Sequence, residues 1–233
     1  MVNCVFLNTA PADVYTQMAA DDYFVGQNTQ ECFLRIFNWA GGPAATFGYA
    51  QFESSVKQQL QTAGITHYTR RPTGGGVVLH KDDLTFSLIF NSPQLVSPNT
   101  IYSALHGCIK EELLKVKHGL SAYGDKSDYR PAQSGTASNC FANPVSDDIL
   151  DEGGSKVLGG AIRRFNTRIL YQGSLQFNGA RGNIAYITAI KAGVLKYLGM
   201  AAYIQRAATQ EEWQAISSLG EKQYNTREWI EKF

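Results

Sequence analysis

Three consecutive glycines, Gly74-Gly75-Gly76, stand between Arg70-Arg71-Pro72-Thr73 and the apolar run Val77-Val78-Leu79, which ends in His80. No other segment limits the possible folds as strongly. Glycines strip side chains from a turn, so backbone N–H groups can approach a ligand oxygen closely and adopt φ/ψ values that other residues avoid. The paired arginines add fixed planar charge of the kind that clamps phosphates and carboxylates. Leu84-Thr85-Phe86-Ser87-Leu88-Ile89-Phe90 then reads as a strand, which places the turn between or beside strands of a sheet. The same residues also suit an ordinary tight hairpin with surface arginines, so the segment alone leaves both readings open.

The chain has 233 residues, enough for one well-filled core, and no linker, repeat or low-complexity tract divides it. Hydrophobic residues at 44% and charged residues at 18% are globular values, and a net charge of +1 argues against sequence-independent nucleic-acid binding. A local basic patch is still expected if Lys81, Arg163, Arg164 and Arg168 gather on one face. The start, Met1 to Leu7, lacks the features of a signal peptide, and no apolar run reaches membrane-spanning length, so a cytoplasmic location is expected. Cysteines 4, 32, 108 and 140 are too widely spaced for a CxxC pair, a disulfide framework or a zinc site. No metal site is expected.

The periodicity predicts a helix from Pro11 to residue 25, a strand over Phe33–Trp39 and a short helix with Val56, Leu60 and Ala63 inside, stopped by Gly64. A strand-turn-strand unit follows over 66–91. Ser97-Pro98 caps a helix carrying Ile101, Leu105, Ile109, Leu113 and Val116. Residues 122–135 are polar and turn-rich, Val157–Ala161 and Ile169–Phe177 read as paired strands, and Ile184–Leu198 is helical up to Gly199. Thr209 and Glu212 form a capping box for a last helix. Strands and helices mix without strict alternation, so the expected class is α+β with a mixed or antiparallel central sheet, in one domain over 1–233.

A second glycine cluster runs Gly153-Gly154-Ser155-Lys156-Val157-Leu158-Gly159-Gly160-Ala161 and ends in Arg163-Arg164. Lys156 leads directly into an apolar strand; drawn inward, it would partner an oxyanion or a thiolate, and left outside it would be an exposed turn lysine. Cys140, in Ser138-Asn139-Cys140-Phe141-Ala142-Asn143-Pro144, is either a loop-edge nucleophile near positive charge or a buried thiol. His80 faces a ligand or sits satisfied in the core.

Taken together, the order RR-P-T-GGG-x-V-x-H-x-x-x-L-T-x-S, then CF-x-x-P, then K-V-x-GGA-x-RR, then Gln172-Gly173-Ser174-Leu175 resembles the lipoate-protein ligase and octanoyltransferase family. Trp39 ahead of Gly48-Tyr49-Ala50-Gln51 and the closing Tyr224-Asn225-Thr226-Arg227-Glu228-Trp229 fit the same pattern, so the resemblance covers about residues 10–230. It implies a class II biotin/lipoate ligase-like fold, a mixed sheet with surrounding helices that forms a tunnel for an eight-carbon acyl chain. It also implies attachment of octanoyl or lipoyl groups to one lysine of a lipoyl acceptor domain, such as that of a 2-oxoacid dehydrogenase subunit or the glycine-cleavage H protein.

Cys140 followed by Phe141 and a nearby proline looks like the nucleophile of the cysteine-dependent, ligase-like octanoyltransferases, which take octanoyl from acyl carrier protein through a thioester and need no cofactor. No separate C-terminal accessory domain is expected. In that reading Cys140 and Lys156 are catalytic. Arg71, Gly74, Gly75, Gly76, His80, Gly159, Gly160 and Ala161 bind substrate, and N–H groups around Gly75, Gly76 and Gly160 stabilise the oxyanion. Gly76 departs toward the ligases, and Lys81 stands where the family commonly has Asp. The rival reading is an ATP-dependent lipoate ligase using Mg²⁺, with Arg71 and Lys156 on the adenylate phosphate and Cys140 structural. A third is an inactive acyl-carrier-binding protein, made the weakest by the intact Lys156 and glycine clusters. Arg163, Arg164 and Arg168 are expected to form a basic rim for an acidic acceptor.

Overall fold

The computed structural model describes residues 3–92, 96–124 and 140–233. Its main sheet has eight strands: β1 (Cys4–Asn8), β2 (Cys32–Ile36), β6 (Leu84–Asn91), β7 (Ser121–Ala122), β8 (Ile149–Leu150), β9 (Lys156–Phe165), β10 (Arg168–Leu175) and β11 (Tyr203–Ala207). Their order is β11-β1-β2-β6-β10-β9-β8-β7. The β11–β1 and β1–β2 pairs are parallel and the others antiparallel, giving a mixed sheet. A second sheet of three strands, in the order β4-β3-β5, contains β3 (Ala44–Phe47), β4 (His67–Arg70) and β5 (Val78–His80).

The predicted strand-turn-strand unit over 66–91 therefore splits. Strands β4 and β5 both flank β3 in the small sheet, while β6 pairs with β2 and β10 in the large one. The glycine turn joins β4 to β5 across β3 within the small sheet instead of closing a hairpin, and the short link from His80 to Leu84 crosses to the large sheet.

Side chains on β6 and β10 alternate between the two faces of the main sheet. One face carries Phe86, Leu88, Phe90, Tyr171 and Leu175 and packs on α3 (Pro98–Leu113) and α4 (Ile184–Leu198), whose Leu105, Ile109, Ile190 and Val194 are buried against it. The other face packs Phe33, Ile89 and Leu170 on α1 (Val14–Val25) and on Ile216 of α5 (Gln210–Leu219). Helix α2 (Glu53–Thr62) buries Val56 and Leu60 against the small sheet.

Helix ends mostly follow the local chemistry. Ser97 accepts from the Thr100 N–H, Gly199 closes α4 at φ 65°, and both halves of the Thr209/Glu212 capping box are made. Helix α1 starts later than predicted, because Asp13 is its N-cap and the preceding Ala12 bridges Trp39. Strand β2 stops at Ile36, before the predicted Trp39. Strands β1, β3, β7, β8 and β11 went unpredicted. After α5 come a π-helical turn (Gly220–Tyr224) and α6 (Arg227–Ile230). Most of the polar stretch 122–135 lies outside the described residues. Among the described residues no helix is long and apolar enough to cross a membrane.

Candidate active site

The face of the main sheet that meets the small sheet is not apolar throughout. Register aligns Arg35, Ser87, Gln172 and Ala161 across four strands, and Thr85, Ser174 and Gly159 across three. These two rows lead from the interior to a narrow cavity of about 30 Å³ between the sheets. Met18, Phe37, Val78 and Phe141 supply apolar wall; Thr46, His80, Arg71, Cys140 and Gln172 supply polar groups.

Lys156 is buried, drawn inward at the start of β9. Its Nζ lies 2.8 Å from Asp148 Oδ2, 3.0 Å from the Cys140 carbonyl and 3.7 Å from the Cys140 Sγ. Asp148 is itself fully enclosed, accepting from the Tyr102 hydroxyl at 2.5 Å and from the Val145 N–H at 2.6 Å. The lysine reaches the sulfur by crossing its own strand: a methyl at Gly159 would lie 2.1 Å from Lys156 Cε. Cys140 is held from the other side, its N–H donating to the Val77 carbonyl at 3.0 Å. The two glycine clusters, far apart in sequence, are thus brought to one sulfur. A methyl at Gly75, where φ is +90°, would stand 3.9 Å from Cys140 Sγ and 2.8 Å from an Arg71 nitrogen.

Arg71 clamps the turn. Its Nε donates to the Gly74 carbonyl at 3.0 Å, a second nitrogen donates to the same oxygen, and Nη1 reaches the Thr46 carbonyl at 3.3 Å. Burial lowers its pKa to about 10, opposed by the nearby Cys140 sulfur, so it remains cationic at neutral pH. Gly48 completes the frame, since a methyl there would overlap the Gly75 carbonyl oxygen at 1.9 Å. Arg70, one residue earlier, points elsewhere and donates to the carbonyls of Tyr49, Gln51, Trp229 and Ile230. Gly74 and Gly75 are exposed and Gly76 is buried.

His80 lines the cavity, with Nδ1 donating to Asp83 at 2.9 Å and Nε2 3.0 Å from the Thr46 hydroxyl, and Trp39 stacks on the ring at 4.6 Å. Burial pushes the Asp83 carboxyl up, but His80 and the hydroxyls of Ser174 and Thr85 outweigh it and leave the pKa below the usual value. The acid partner of the histidine thus sits at Asp83, two positions past Lys81. Gln172 links the cavity to the interior. It accepts from Thr73 at 2.6 Å and donates to Asp21 at 2.7 Å, and Asp21 in turn pairs with the fully buried Arg35.

Two expectations fail on geometry. The Gly160 N–H donates to the Tyr102 hydroxyl at 2.9 Å, so it is not free as an oxyanion donor, although Gly160 and Ala161 line the cavity. The basic rim does not form either, because neighbouring strand residues face opposite sides. Arg163 donates to the Pro72 carbonyl and stacks on Tyr49, Arg164 donates to Ser92 and Val96, and Arg168 is buried against the carbonyls of Phe24, Thr29 and Glu31.

Sequence reasoning missed Asp148, Tyr102, Asp83, Thr46 and Gln172 as site members. The signal for Gln172 was present in the period-2 alternation of polar residues in Leu84-Thr85-Phe86-Ser87 and Gln172-Gly173-Ser174.

Residues 13–212 match the lipoyl protein ligase A/B catalytic domain. Among relatives, the octanoyltransferase LipM of Oceanobacillus iheyensis is 25% identical over 225 residues, covering 94% of this chain and 78% of that protein. LipM of Bacillus subtilis is 27% identical over 180 residues, covering 73% of this chain and 64% of its own length. The chain thus spans less than two thirds of some relatives it matches. Lipoate-protein ligase A bound with ATP superposes with a TM-score of 0.74 at 19% identity, covering 99% of this chain and 98% of that one. The bi-partite lipoate protein ligase of Thermoplasma acidophilum gives 0.72 at 18%, covering 99% and 96%. With the family match spanning most of the chain and the fold shared over its whole length, this protein belongs to the lipoyl protein ligase A/B catalytic-domain family.

Proposed function

We propose that this protein is a cysteine-dependent acyltransferase that moves an octanoyl or lipoyl group from a carrier thioester to one lysine of a lipoyl acceptor domain. The observation that carries the reading is the Lys156 amine 3.7 Å from the Cys140 sulfur, at the edge of a cavity with apolar walls. Two cations, Lys156 and Arg71, flank the sulfur and can balance the charge of a thiolate or of the oxyanion formed when it attacks. The names of the LipM relatives support octanoyl transfer.

In the first half-reaction Cys140 Sγ bonds to the thioester carbonyl carbon, the carrier C–S bond breaks, and the carrier thiolate takes up a proton. In the second, the acceptor ammonium gives a proton to water and its nitrogen attacks the Cys140 thioester. The C–S bond to Cys140 then breaks, the nitrogen loses its second proton, and Cys140 returns as thiolate. The transfer needs no cofactor, and the proposed setting is the cytoplasm, where free thiols persist.

The ATP-dependent alternative gains little from the same geometry. Direct grip on an adenylate phosphate would take Arg71 from the Gly74 and Thr46 carbonyls and Lys156 from Asp148, whereas the thiolate reading asks only for their charge near the sulfur. The deciding experiment is Cys140→Ala. The variant is expected to fold but to lose all transfer from octanoyl-carrier and all hydroxylamine-cleavable octanoyl adduct. Full activity in the variant, together with lipoate-dependent exchange of pyrophosphate into ATP, would replace this reading with the ligase.

A further inference from the structure

Strand β9 is covered along only part of one edge. On one side it pairs with β10 throughout, but on the other β8 reaches it only through Ile149 opposite Leu158 and Leu150 opposite Lys156. The Gly160 N–H points away from β10 toward the Tyr102 hydroxyl. By strand alternation the Gly160 carbonyl and the N–H and carbonyl of Ile162 lie on that same outer edge. Among the described residues none of these three groups has a backbone partner.

A groove of about 980 Å³ runs along this edge. Its far wall is the first part of α3, from Pro98 through Ser103 and Ala104, and the Val145–Asp147 segment. Apart from Asp147, its lining is uncharged, a mixture of small apolar residues and hydroxyl or amide side chains. Gly160 and Ala161 line both this groove and the cavity that holds Cys140, so the two, on opposite faces of the main sheet, meet at the open edge of β9, and a ligand in the groove would round that edge to reach the sulfur.

We propose that this groove seats the pantetheine arm of the acyl donor, with a secondary amide of the arm pairing as an added strand to the open edge at Gly160 and Ile162. The inference rests on the transferase reading above. The match is chemical: an unpaired strand edge offers one donor between two acceptors, and a pantetheine arm is uncharged, extended and carries two secondary amides before its thioester. A polypeptide strand of the acceptor could use such an edge, but it would bring side chains to a slot walled by α3. The arm brings almost none, and its thioester end leads toward the sulfur.

The test measures the rate at which the whole protein gains an octanoyl mass on Cys140 from two small thioesters, S-octanoyl-pantetheine and S-octanoyl-mercaptoethanol, which lacks amides. The wild type is expected to favour the first by roughly 30-fold in kcat/KM, about the worth of two ordinary hydrogen bonds. Ala104→Trp, at an exposed helix position beside the groove, is expected to bring that ratio close to one. Equal wild-type rates, or a ratio unchanged in Ala104→Trp, would overturn the assignment while leaving the Cys140 thioester in place. Acylation by neither compound would defeat the transferase reading itself, and the groove with it. If the variant slows only the transfer from Cys140 to the acceptor domain, the groove belongs to the acceptor and the proposal fails. Octanoyl-carrier and octanoyl-coenzyme A, which present the same arm, separate the sources: similar preference for both means that the arm alone is read.

Discussion

The two glycine clusters look alike in sequence and solve different physical problems. In the first, Gly75 adopts φ +90° and Gly48 lies against the Gly75 carbonyl, so glycine is needed for backbone conformation and backbone approach. In the second, Gly154 still turns the chain at φ +76°, but Gly159 and Gly160 lie in an extended strand, neither at positive φ. There glycine is needed for side chains of other residues: Gly159 lets Lys156 pass over the strand, and Gly160 admits the Tyr171 ring on the opposite face, where a methyl would lie 2.5 Å from ring atoms. A glycine pair can therefore shape a turn or open a passage through a sheet, and only the neighbours tell which.

The sharpest way to break this contrast is Gly160→Ala. Tyr171 is fully buried between Phe86, Tyr102 and His106 and cannot retreat. Overpacking here should cost about 3 kcal/mol of stability, read by urea unfolding. A loss under about 1 kcal/mol would mean that the ring moves freely and the second cluster has no steric purpose at that position.

Gly159→Ala should behave differently. The added methyl meets the end of the Lys156 side chain and no ring, so the loss of stability should be smaller than at Gly160 and come from weakening the buried Lys156–Asp148 pair. The amine would be displaced from Cys140, slowing transfer by about 100-fold, the scale of a misplacement of 1 Å. If the variant unfolds and keeps its specific activity, the passage argument is wrong.

His106 sharpens the contrast through pH, because it holds the Tyr171 hydroxyl in place. Its Nδ1–H donates to the Asp147 carbonyl at 2.8 Å and its Nε2 accepts from Tyr171 at 2.7 Å, which fixes the neutral tautomer. Burial, with the charge of Lys156 adding to it, lowers the pKa from 6.5 to about 3. The unfolded chain binds the proton first as pH falls, so stability present above pH 6.5 is lost toward pH 3. Between pH 7 and pH 5 this one group should cost about 2 kcal/mol. In His106→Gln the decline with pH should be shallower by that amount; parallel curves would refute it.

The smallest effect is expected for Gly74→Ala. Its φ is not positive and a methyl there meets nothing within 4 Å, so stability should stay within about 0.5 kcal/mol. A large loss would show that the turn tolerates no side chain anywhere.

Much of the fold was legible. The 3.6-residue spacing of Ile101, Leu105, Ile109 and Leu113 and of Ile190 and Val194 gave two long helices, and capping chemistry gave their ends. Strand β11 was missed because it is a largely exposed edge strand with little alternation, and β1 because its apolar start offered no second period to read. In the site, Cys140, Lys156, Arg71 and His80 stood out because cysteine, inward lysine and glycine turns have few ordinary uses together. Asp148, Asp83 and Gln172 did not, since a single acid or amide is common on any surface.

The amino-acid order by itself determined the two glycine clusters, the helix caps, the apolar periods and the family motifs, because these rest on neighbours within a few residues. Only the tertiary structure decided that β5 and β6 belong to different sheets, that Arg71 grips its own turn, and that Gly160 gives its N–H to Tyr102. The physical reason is that each depends on which backbone and side-chain groups the packed sheets leave without a partner. That balance is settled only when distant segments meet.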